Sequence, residues 1–148
     1  MKNIDKYEFN EHFLYDPESH FWVDIAGPEA RIGMSSLLQE TSGNFVAISF
    51  DGLNKEVKKG QSFGSIEAEK YVGPLNAPVS GVIAEINDQV IENPRLVNTD
   101  PYGNGWLIKL KLSDLEAEIS NLIKGKDQIQ TWFESELKKF EEKGWISQ

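Results

Sequence analysis

The sequence contains no cysteine and only two histidines. The lack of cysteine excludes disulfide bonds, thiolate catalysis and cysteine-ligated metal sites. With His12 and His20 as the only imidazoles, a zinc or iron site would depend on carboxylates, and we expect no metal site. No hydrophobic run is long enough to cross a bilayer, and residues 1–11 lack the apolar core of a signal peptide. These absences predict a cytoplasmic protein with no membrane partner.

Positive charge is also scarce. The chain has 15 Lys and Arg against 24 Asp and Glu, which gives a formal net charge of −9 and a pI near 4.7. Such a chain repels nucleic acid and anionic lipid, so neither is an expected partner. The charge suits docking on proteins with basic patches, although solubility alone explains it equally well. The length of 148 residues and a hydrophobic content of 39% predict a single domain over residues 1–148.

Short β-type runs separated by Gly, Pro and Asn dominate the first 112 residues. Residues 21–25 and 29–34 flank Gly27-Pro28, which predicts a hairpin. Residues 45–50 place Val46, Ile48 and Phe50 on one face by alternation. Close spacing and tight turns favour an all-β barrel or sandwich of short antiparallel strands. Further strand candidates are residues 63–68, 79–86 (with Val82, Ala84 and Ile86 alternating) and 106–112 (with Trp106, Ile108 and Leu110 alternating).

Three segments have helical patterns. An early helix is predicted between an N-cap at Ser36, with Gln39 at the capping-box position, and a stop at Gly43. A second is predicted from Ser113, with Glu116 at the capping-box position, to a stop at Gly125, and a third over residues 127–143. We expect residues 113–146 to form a helical C-terminal extension packed on the sheet. The expected apolar faces are Leu115, Ile119, Leu122 and Ile123 in the second helix, and Ile129, Trp132, Phe133, Leu137 and Phe140 in the third.

The segment that can take part in chemistry is residues 57–81. Its pattern predicts a strand over 62–68, a tight turn that displays Lys70, and a returning strand from Tyr71. An accessible amine on a fixed turn can be acylated by a modifying enzyme. Alone this signal is weak, because exposed lysines beside glutamates are common. Glu67 and Glu69 are better explained as solvated charges that a ligase recognises than as a catalytic acid and base. The sequence shows no nucleophile–histidine–acid set and no phosphate-binding glycine loop, so catalysis is not expected.

The surroundings of Lys70 carry a more specific signal. Glu67-Ala68-Glu69-Lys70 is followed by Ala77-Pro78-Val79-Ser80-Gly81, and residues 93–108 read NPRLVNTDPYGNGWLI. Upstream lie Ser19-His20-Phe21-Trp22-Val23 and Ile32-Gly33-Met34. From about Tyr15 to Leu122 the sequence resembles the H protein of the glycine cleavage system, whose motifs are Glu-Ser-Val-Lys, Ser-Pro-Val-Ser-Gly and N-P-x-L-V-N-x-D-P-Y-G-x-G-W-L. Within the third motif, Asp100-Pro101 and the two glycines fit an ordered turn, and Trp106 is expected in the core.

The resemblance implies a lipoyl-domain-like barrel-sandwich hybrid and a non-catalytic carrier. Lys70 would bear lipoate in amide linkage, and Glu67 and Glu69 would assist recognition. The dithiolane would accept a fragment, hold it and be reoxidised by exchange. The implied partners are a pyridoxal-phosphate glycine decarboxylase, an aminomethyltransferase, a dihydrolipoyl dehydrogenase, and the lipoate ligase or lipoyl transferase that modifies the lysine.

Two departures from the family pattern leave the cargo open. Phe21 occupies the place of a family glutamate that helps to hold the aminomethylated arm, and a phenyl ring cannot pair with an ammonium group. Lys70-Tyr71-Val72-Gly73 and Leu14-Tyr15-Asp16 resemble the lipoate-binding proteins that serve heterodisulfide-reductase-like complexes in sulfur oxidation. The alternatives are therefore a carrier of sulfur intermediates or an unlipoylated paralogue that acts as a binding module. A biotin carrier is disfavoured, because those proteins prefer methionines beside the lysine.

Overall fold

A computed structural model of the chain describes residues 1–4 and 6–146, and these residues contain eleven short strands. The strands are β1 (Lys2–Ile4), β2 (Tyr7–Phe9), β3 (Leu14–Tyr15), β4 (Phe21–Ala26), β5 (Glu29–Met34), β6 (Phe45–Phe50), β7 (Glu56–Val57), β8 (Ser62–Ala68), β9 (Val72–Asn76), β10 (Gly81–Ile86) and β11 (Ile108–Leu112). The helices are α1 (Ser36–Ser42), α2 (Asp88–Glu92), α3 (Leu96–Thr99), α4 (Leu115–Glu118) and α5 (Lys126–Glu142), and Ile119–Asn121 form one 3₁₀ turn.

The strands form three antiparallel sheets. A six-stranded sheet has the order β3-β4-β5-β11-β10-β7, a three-stranded sheet has the order β6-β8-β9, and β1 pairs with β2. The main core contains side chains from both larger sheets, such as Val23 and Ile32 from one and Phe63 and Ile66 from the other. The predicted class, an all-β barrel-sandwich hybrid with an early helix and C-terminal helices, is confirmed. The predicted hairpin at Gly27-Pro28 is the β4–β5 turn.

Strand β6 departs from simple alternation. A β-bulge between Phe45 and Ala47 shifts its register against β8. The extra residue turns Val46 outward, where it is 62% exposed, and Phe45 takes the core position. The prediction that Val46 shares the inner face with Ile48 was therefore wrong at that one residue.

A second irregularity lies in β10, where the register against β11 shifts between Ile83 and Glu85. Ile83 is fully buried, whereas Ala84 is exposed and Val82 is only half-buried. The predicted inner face of this strand was wrong for the same physical reason as in β6. Trp106 was also expected in the core but is half-buried, with the Lys109 ammonium 5.6 Å from its ring centroid.

Helix α1 begins one residue earlier than the capping motif predicts. The hydroxyl of Ser35 accepts a hydrogen bond from the Leu38 amide, so Ser35 is the N-cap and Ser36 is the first helical residue. Gly43 ends the helix with φ +76°, a conformation that favours glycine, as the sequence predicts.

The second predicted helix is much shorter than expected. Residues 115–118 are helical, a 3₁₀ turn follows, and Ile123 then pairs with Tyr15 as an isolated β-bridge. Tertiary contacts override the helical pattern. Glu118 is buried and its carboxylate accepts hydrogen bonds from the Ser80 amide at 2.7 Å and the Ser80 hydroxyl at 2.5 Å. The Ser113 capping box does not form, since Asp114 occupies the N-cap position.

Helix α5 closely matches the predicted third helix and buries four residues of its apolar stripe, with Trp132 half-buried. It packs on a second, aromatic cluster built from the β1–β2 hairpin and from side chains of the large sheet such as Tyr15 and Trp22. No helix in residues 1–4 and 6–146 is long and apolar enough to span a membrane. The division into one domain with an extension at 113–146 stays a prediction.

Candidate functional site

Lys70 lies in the turn between β8 and β9, on an exposed surface. The turn is closed by a hydrogen bond from the Ala68 amide to the Tyr71 carbonyl at 2.8 Å. The Lys70 amide donates to the Ser42 carbonyl at 2.9 Å, and the Glu69 amide donates to the Asn44 carbonyl at 3.1 Å. Three main-chain bonds therefore fix the base of the lysine, because each limits the backbone torsions of the turn. Within the described part of the chain, nothing binds its ammonium group.

The two flanking glutamates, which the sequence treats alike, have different surroundings. Glu69 bends back toward the α1–β6 connection, where its Oε1 accepts a hydrogen bond from the Asn44 amide at 2.6 Å. Its side chain also lies over Gly43, and a Cβ built on that glycine would be 3.1 Å from Glu69 Cβ. Glu67 is exposed on the outer face of the three-stranded sheet. Glu69 therefore shapes the turn, whereas Glu67 is available for recognition.

Asn98 holds the connection on which the Lys70 turn rests. Its amide nitrogen donates to the Gly43 carbonyl at 2.8 Å and to Gln39 Oε1 at 3.0 Å, and its Oδ1 accepts from the Phe45 amide at 3.0 Å. The sequence alone predicts no role for this residue. Asn98 is the last residue of Asn-Pro-Arg-Leu-Val-Asn, which follows the family motif, and this match was the available signal.

A cleft of about 620 Å³ opens beside Lys70. It extends between the Lys70 turn, helix α1, the start of β4 and the C-terminal end of the described chain. Among the residues that the structure describes, Lys70 and Glu18 are the only charged ones that line it. Its apolar lining consists of Phe21, Met34, Leu38, Ile66, Tyr71, Pro74, Leu75 and Trp145.

The loop before β4 forms one wall of the cleft and is organised by Asp16, a nearly buried residue. The Asp16 carboxylate accepts hydrogen bonds from the Ser19 hydroxyl at 2.7 Å and from the Lys59 ammonium at 3.2 Å. His20 follows with φ +65°, a left-handed conformation that is uncommon outside glycine. This turn places Ser19 and Phe21, the residues on either side of His20, at the cleft.

His20 joins this wall to α5. Its Nε2 lies 2.8 Å from Glu136 Oε1, and its Nδ1 lies 3.1 Å from the hydroxyl of Ser35, the α1 N-cap. The hydrogen bond from His20 is the main cause that lowers the pKa of Glu136, with partial burial acting in the opposite direction and Lys139 assisting. An ionised carboxylate only accepts, so His20 Nε2 donates in this bond. His20 therefore has a positioning role between two helices and the cleft.

The geometry suits a tethered group better than a catalytic or metal site. No group of three or more His, Cys, Asp or Glu residues in the described ranges could hold a metal ion. An unpaired lysine on a backbone-fixed turn, beside a cleft with a largely apolar lining, fits an acyl chain that ends in a dithiolane ring. The fold and this site together define a carrier protein of the lipoyl-domain type.

Comparison with known proteins assigns the family. Residues 14–135 match the family model described as "Glycine cleavage H-protein". The glycine cleavage system H protein of Carboxydothermus hydrogenoformans is 43% identical over 108 residues, covering 73% of this chain and 82% of that protein. A probable glycine cleavage system H protein 2 of Sulfolobus acidocaldarius is 35% identical over 122 residues, covering 82% and 81% respectively.

The fold agrees with this similarity. A crystal structure of a glycine cleavage system H protein from Mycobacterium marinum has a TM-score of 0.65 and 31% sequence identity, covering 76% of this chain and 98% of that one. This chain belongs to the glycine cleavage H-protein family, and it is a lipoyl-carrier shuttle rather than an enzyme. The resemblance that the Lys70 and residue 93–108 motifs indicated is confirmed.

Proposed function

We propose that Lys70 bears a lipoyl group in amide linkage and that the chain moves an aminomethyl fragment between the enzymes of the glycine cleavage system. The observation that carries this proposal is the unpaired Lys70 ammonium on a turn whose backbone is bonded to Ser42 and Asn44. A bound lipoyl group supplies a disulfide that opens to accept a fragment and closes again on reoxidation. The chain's own residues supply the tether, the cleft and the docking surface.

The residues around Lys70 act in distinct ways. Amide formation removes the lysine charge, so that the formal net charge becomes one unit more negative than −9. The turn fixes where the arm begins, which raises its effective concentration at a docked partner enzyme. Glu67, exposed on the strand that leads to the turn, is the residue that we assign to recognition by the modifying enzyme.

The cargo needs a carboxylate other than that of the family motif, because Phe21 replaces the glutamate of that motif. Phe21 is 3% exposed and packs with its ring centroid 5.9 Å from that of Phe63, so it forms the apolar floor of the cleft. Glu18 lines the same cleft and supplies a carboxylate that a cationic aminomethyl group can meet. The relatives described above carry the glycine cleavage name, which favours this cargo over sulfur intermediates.

The proposed partners follow from the cargo. They are a pyridoxal-phosphate glycine decarboxylase, an aminomethyltransferase, a dihydrolipoyl dehydrogenase, and a lipoate ligase or lipoyl transferase. A net charge of −9 suits docking on basic surfaces of these enzymes. We expect all of them to meet the carrier in the cytoplasm.

Intact mass of the protein purified from its native host tests the attachment. The mass should exceed that of the bare chain by one lipoyl group, and the addition should be absent in Lys70→Arg. Lys58→Arg is the matched control, because Lys58 is also an exposed lysine in a turn before a strand. A native protein without the added group, or a group that persists in Lys70→Arg, contradicts the proposal.

An exchange assay tests the cargo. The lipoylated protein should support glycine–bicarbonate exchange by a glycine decarboxylase, and Glu18→Gln should raise the KM for the carrier or slow transfer. Failure of the lipoylated wild-type protein in this assay, together with adduct formation on sulfur donors, would favour the sulfur carrier.

A further inference from the structure

The β1–β2 hairpin, which precedes the family match, packs against helix α5, whose last turns extend beyond that match. Residues before 14 include the β1–β2 hairpin, and residues after 135 include the last turns of α5. The rings of Phe9 and Phe133 lie 5.6 Å apart between centroids, and Phe9, Phe140 and Ile146 belong to one buried cluster. The terminal regions therefore form an added layer on one side of the carrier fold.

Trp145 is the residue that this layer brings to the Lys70 cleft. Helix α5 ends at Glu142, Gly144 follows with φ +75°, and the Trp145 amide donates to the Phe140 carbonyl at 2.9 Å. The indole centroid lies 5.3 Å from that of Phe140 and 4.7 Å from the Lys143 ammonium, and the next residue, Ile146, is buried. The Trp145 backbone is thus held on both sides.

Although it is held in place, Trp145 remains 47% exposed. A large aromatic ring that is fixed and half-exposed at a cleft leaves apolar surface that a ligand can cover. Tyr71, 43% exposed, lines the same cleft from the Lys70 turn. Two half-exposed aromatic side chains from separate segments therefore border the space next to the lysine.

We propose that Trp145 is the wall of this cleft against which the lipoyl arm of Lys70 packs. The inference rests on the proposed function, since the occupant is the arm that Lys70 would bear. Contact with an indole ring is apolar and does not depend on a charge at the end of the arm. Trp145 therefore holds the arm when it carries no aminomethyl fragment. In that form the arm has no positive charge that the Glu18 carboxylate could attract.

Tryptophan fluorescence tests the contact directly, because a disulfide quenches an adjacent indole. The wild-type protein should lose emission on lipoylation and recover it when the arm is reduced. Trp145→Phe should abolish this difference between the two forms, whereas Trp106→Phe should preserve it. Trp106 is a suitable control because it is half-buried and does not line the cleft.

Thiol alkylation provides a second measurement. The chain has no cysteine, so every thiol in the reduced, lipoylated protein belongs to the arm. Trp145→Ala should raise the alkylation rate of these thiols by about two- to tenfold, the range expected for loss of one aromatic contact. Trp145→Phe should give a smaller increase. Ile91→Ala, at a 44% exposed residue that does not line the cleft, should leave the rate unchanged.

The outcomes separate this inference from the proposed function. Lipoylated Trp145→Ala and Trp145→Phe that match the wild type in both quenching and alkylation would overturn the role of Trp145 and leave Lys70 as the attachment site. A native protein that carries no lipoyl group would contradict the proposed function, and this inference with it.

Discussion

Glu67 and Glu69 lie two residues apart on either side of Ala68, yet they face different surroundings. Glu69 bonds the Asn44 amide, whereas Glu67 projects from the outer face of β8. The sequence predicts both as flanking recognition residues, because it cannot show which carboxylate has an intramolecular partner. The structure favours recognition by Glu67 and a positioning role for Glu69.

Substitution of the two glutamates should separate these roles. We expect Glu67→Gln to lower the initial rate of lipoylation by about tenfold, the factor that loss of one charge-assisted contact gives, with an unchanged free energy of unfolding. Glu69→Gln should keep the lipoylation rate, because its amide oxygen can still accept from Asn44. Mass spectrometry of a timed ligase reaction measures both. Equal rates for Glu67→Gln and the wild type would remove Glu67 from the recognition site.

Gly33 shows a constraint that a motif alone does not explain. It lies opposite Trp22 in the β4–β5 register, and a Cβ at this position would be 2.1 Å from the indole ring. The indole cannot easily move, because its Nε1 donates to the Pro101 carbonyl at 3.0 Å and its ring is stacked on Phe13 at 4.6 Å.

We therefore expect Gly33→Ala to reduce the free energy of unfolding by about 2–3 kcal/mol through overpacking. Chemical denaturation monitored by circular dichroism measures the loss. Gly52→Ala is the matched control, because a Cβ there meets no atom within 4 Å and the residue has no positive φ. Equal losses in the two variants would mean that the Trp22 contact is not the cause.

At the scale of the elements, α3 and the α1–β6 connection act as one support for the β8–β9 turn. Asn98 of α3 bonds Gln39, Gly43 and Phe45, and the residues next to this support bond the backbone of Lys70 and Glu69. The support depends on a single side chain, because Asn98 makes all three bonds.

Asn98→Ala should leave the Phe45 amide and the Gly43 carbonyl without these partners. We expect a loss of about 1–3 kcal/mol in the free energy of unfolding and faster hydrogen exchange at the Lys70 and Glu69 amides. Hydrogen exchange followed by mass spectrometry measures the local effect. Asn121→Ala, at an exposed position in the 3₁₀ turn, is the control. Unchanged exchange in the Lys70 turn would show that Asn98 does not support it.

The elements that the sequence predicted well are those with a strong local pattern. The β4–β5 hairpin has a Gly-Pro turn between two apolar runs, and α5 has a long amphipathic stripe, so both follow from local rules. The segment 113–125 has a helical pattern but becomes mostly irregular, because Glu118 bonds Ser80 and Ile123 pairs with Tyr15. Those contacts join residues far apart in sequence, and no local pattern encodes them.

Across the whole molecule, the Glu136–His20 pair connects α5 to the loop that lines the cleft. The Glu136 side chain is 13% exposed and that of His20 is 6% exposed. The hydrogen bond from His20 lowers the pKa of Glu136 below its ordinary value of 4.5. The folded state therefore stabilises the ionised carboxylate, and this stabilisation is lost as the pH falls through the folded-state pKa.

Glu136→Gln should remove the contribution of this carboxylate to the pH dependence of stability. We expect a loss of about 2 kcal/mol in the free energy of unfolding at neutral pH, and a shallower decline than the wild type below pH 4.5. Urea denaturation at a series of pH values measures both. Glu134→Gln, an exposed residue of the same helix, should keep the wild-type decline. Parallel curves for Glu136→Gln and the wild type would contradict the role of this pair.

The candidate site could be predicted in part. Lys70 was identified because its motif and the turn pattern agree, and Phe21 was identified by its departure from the family pattern. Asn98, Asp16 and Trp145 were not assigned to the site, because their roles depend on contacts between separate segments. The bulges in β6 and β10 were also missed, since a single inserted residue does not change the average alternation.

The backbone anchoring of the Lys70 turn has a consequence for sequence change. The three bonds that fix the backbone of the turn join main-chain atoms and can form with other side chains at residues 68–71, and the Glu69–Asn44 bond adds to them. This explains how Ala68 and Glu69 can differ from the Ser-Val of the family motif while the lysine keeps its position. Side chains of the turn that different modifying enzymes and partners recognise can therefore be substituted while the backbone keeps its conformation.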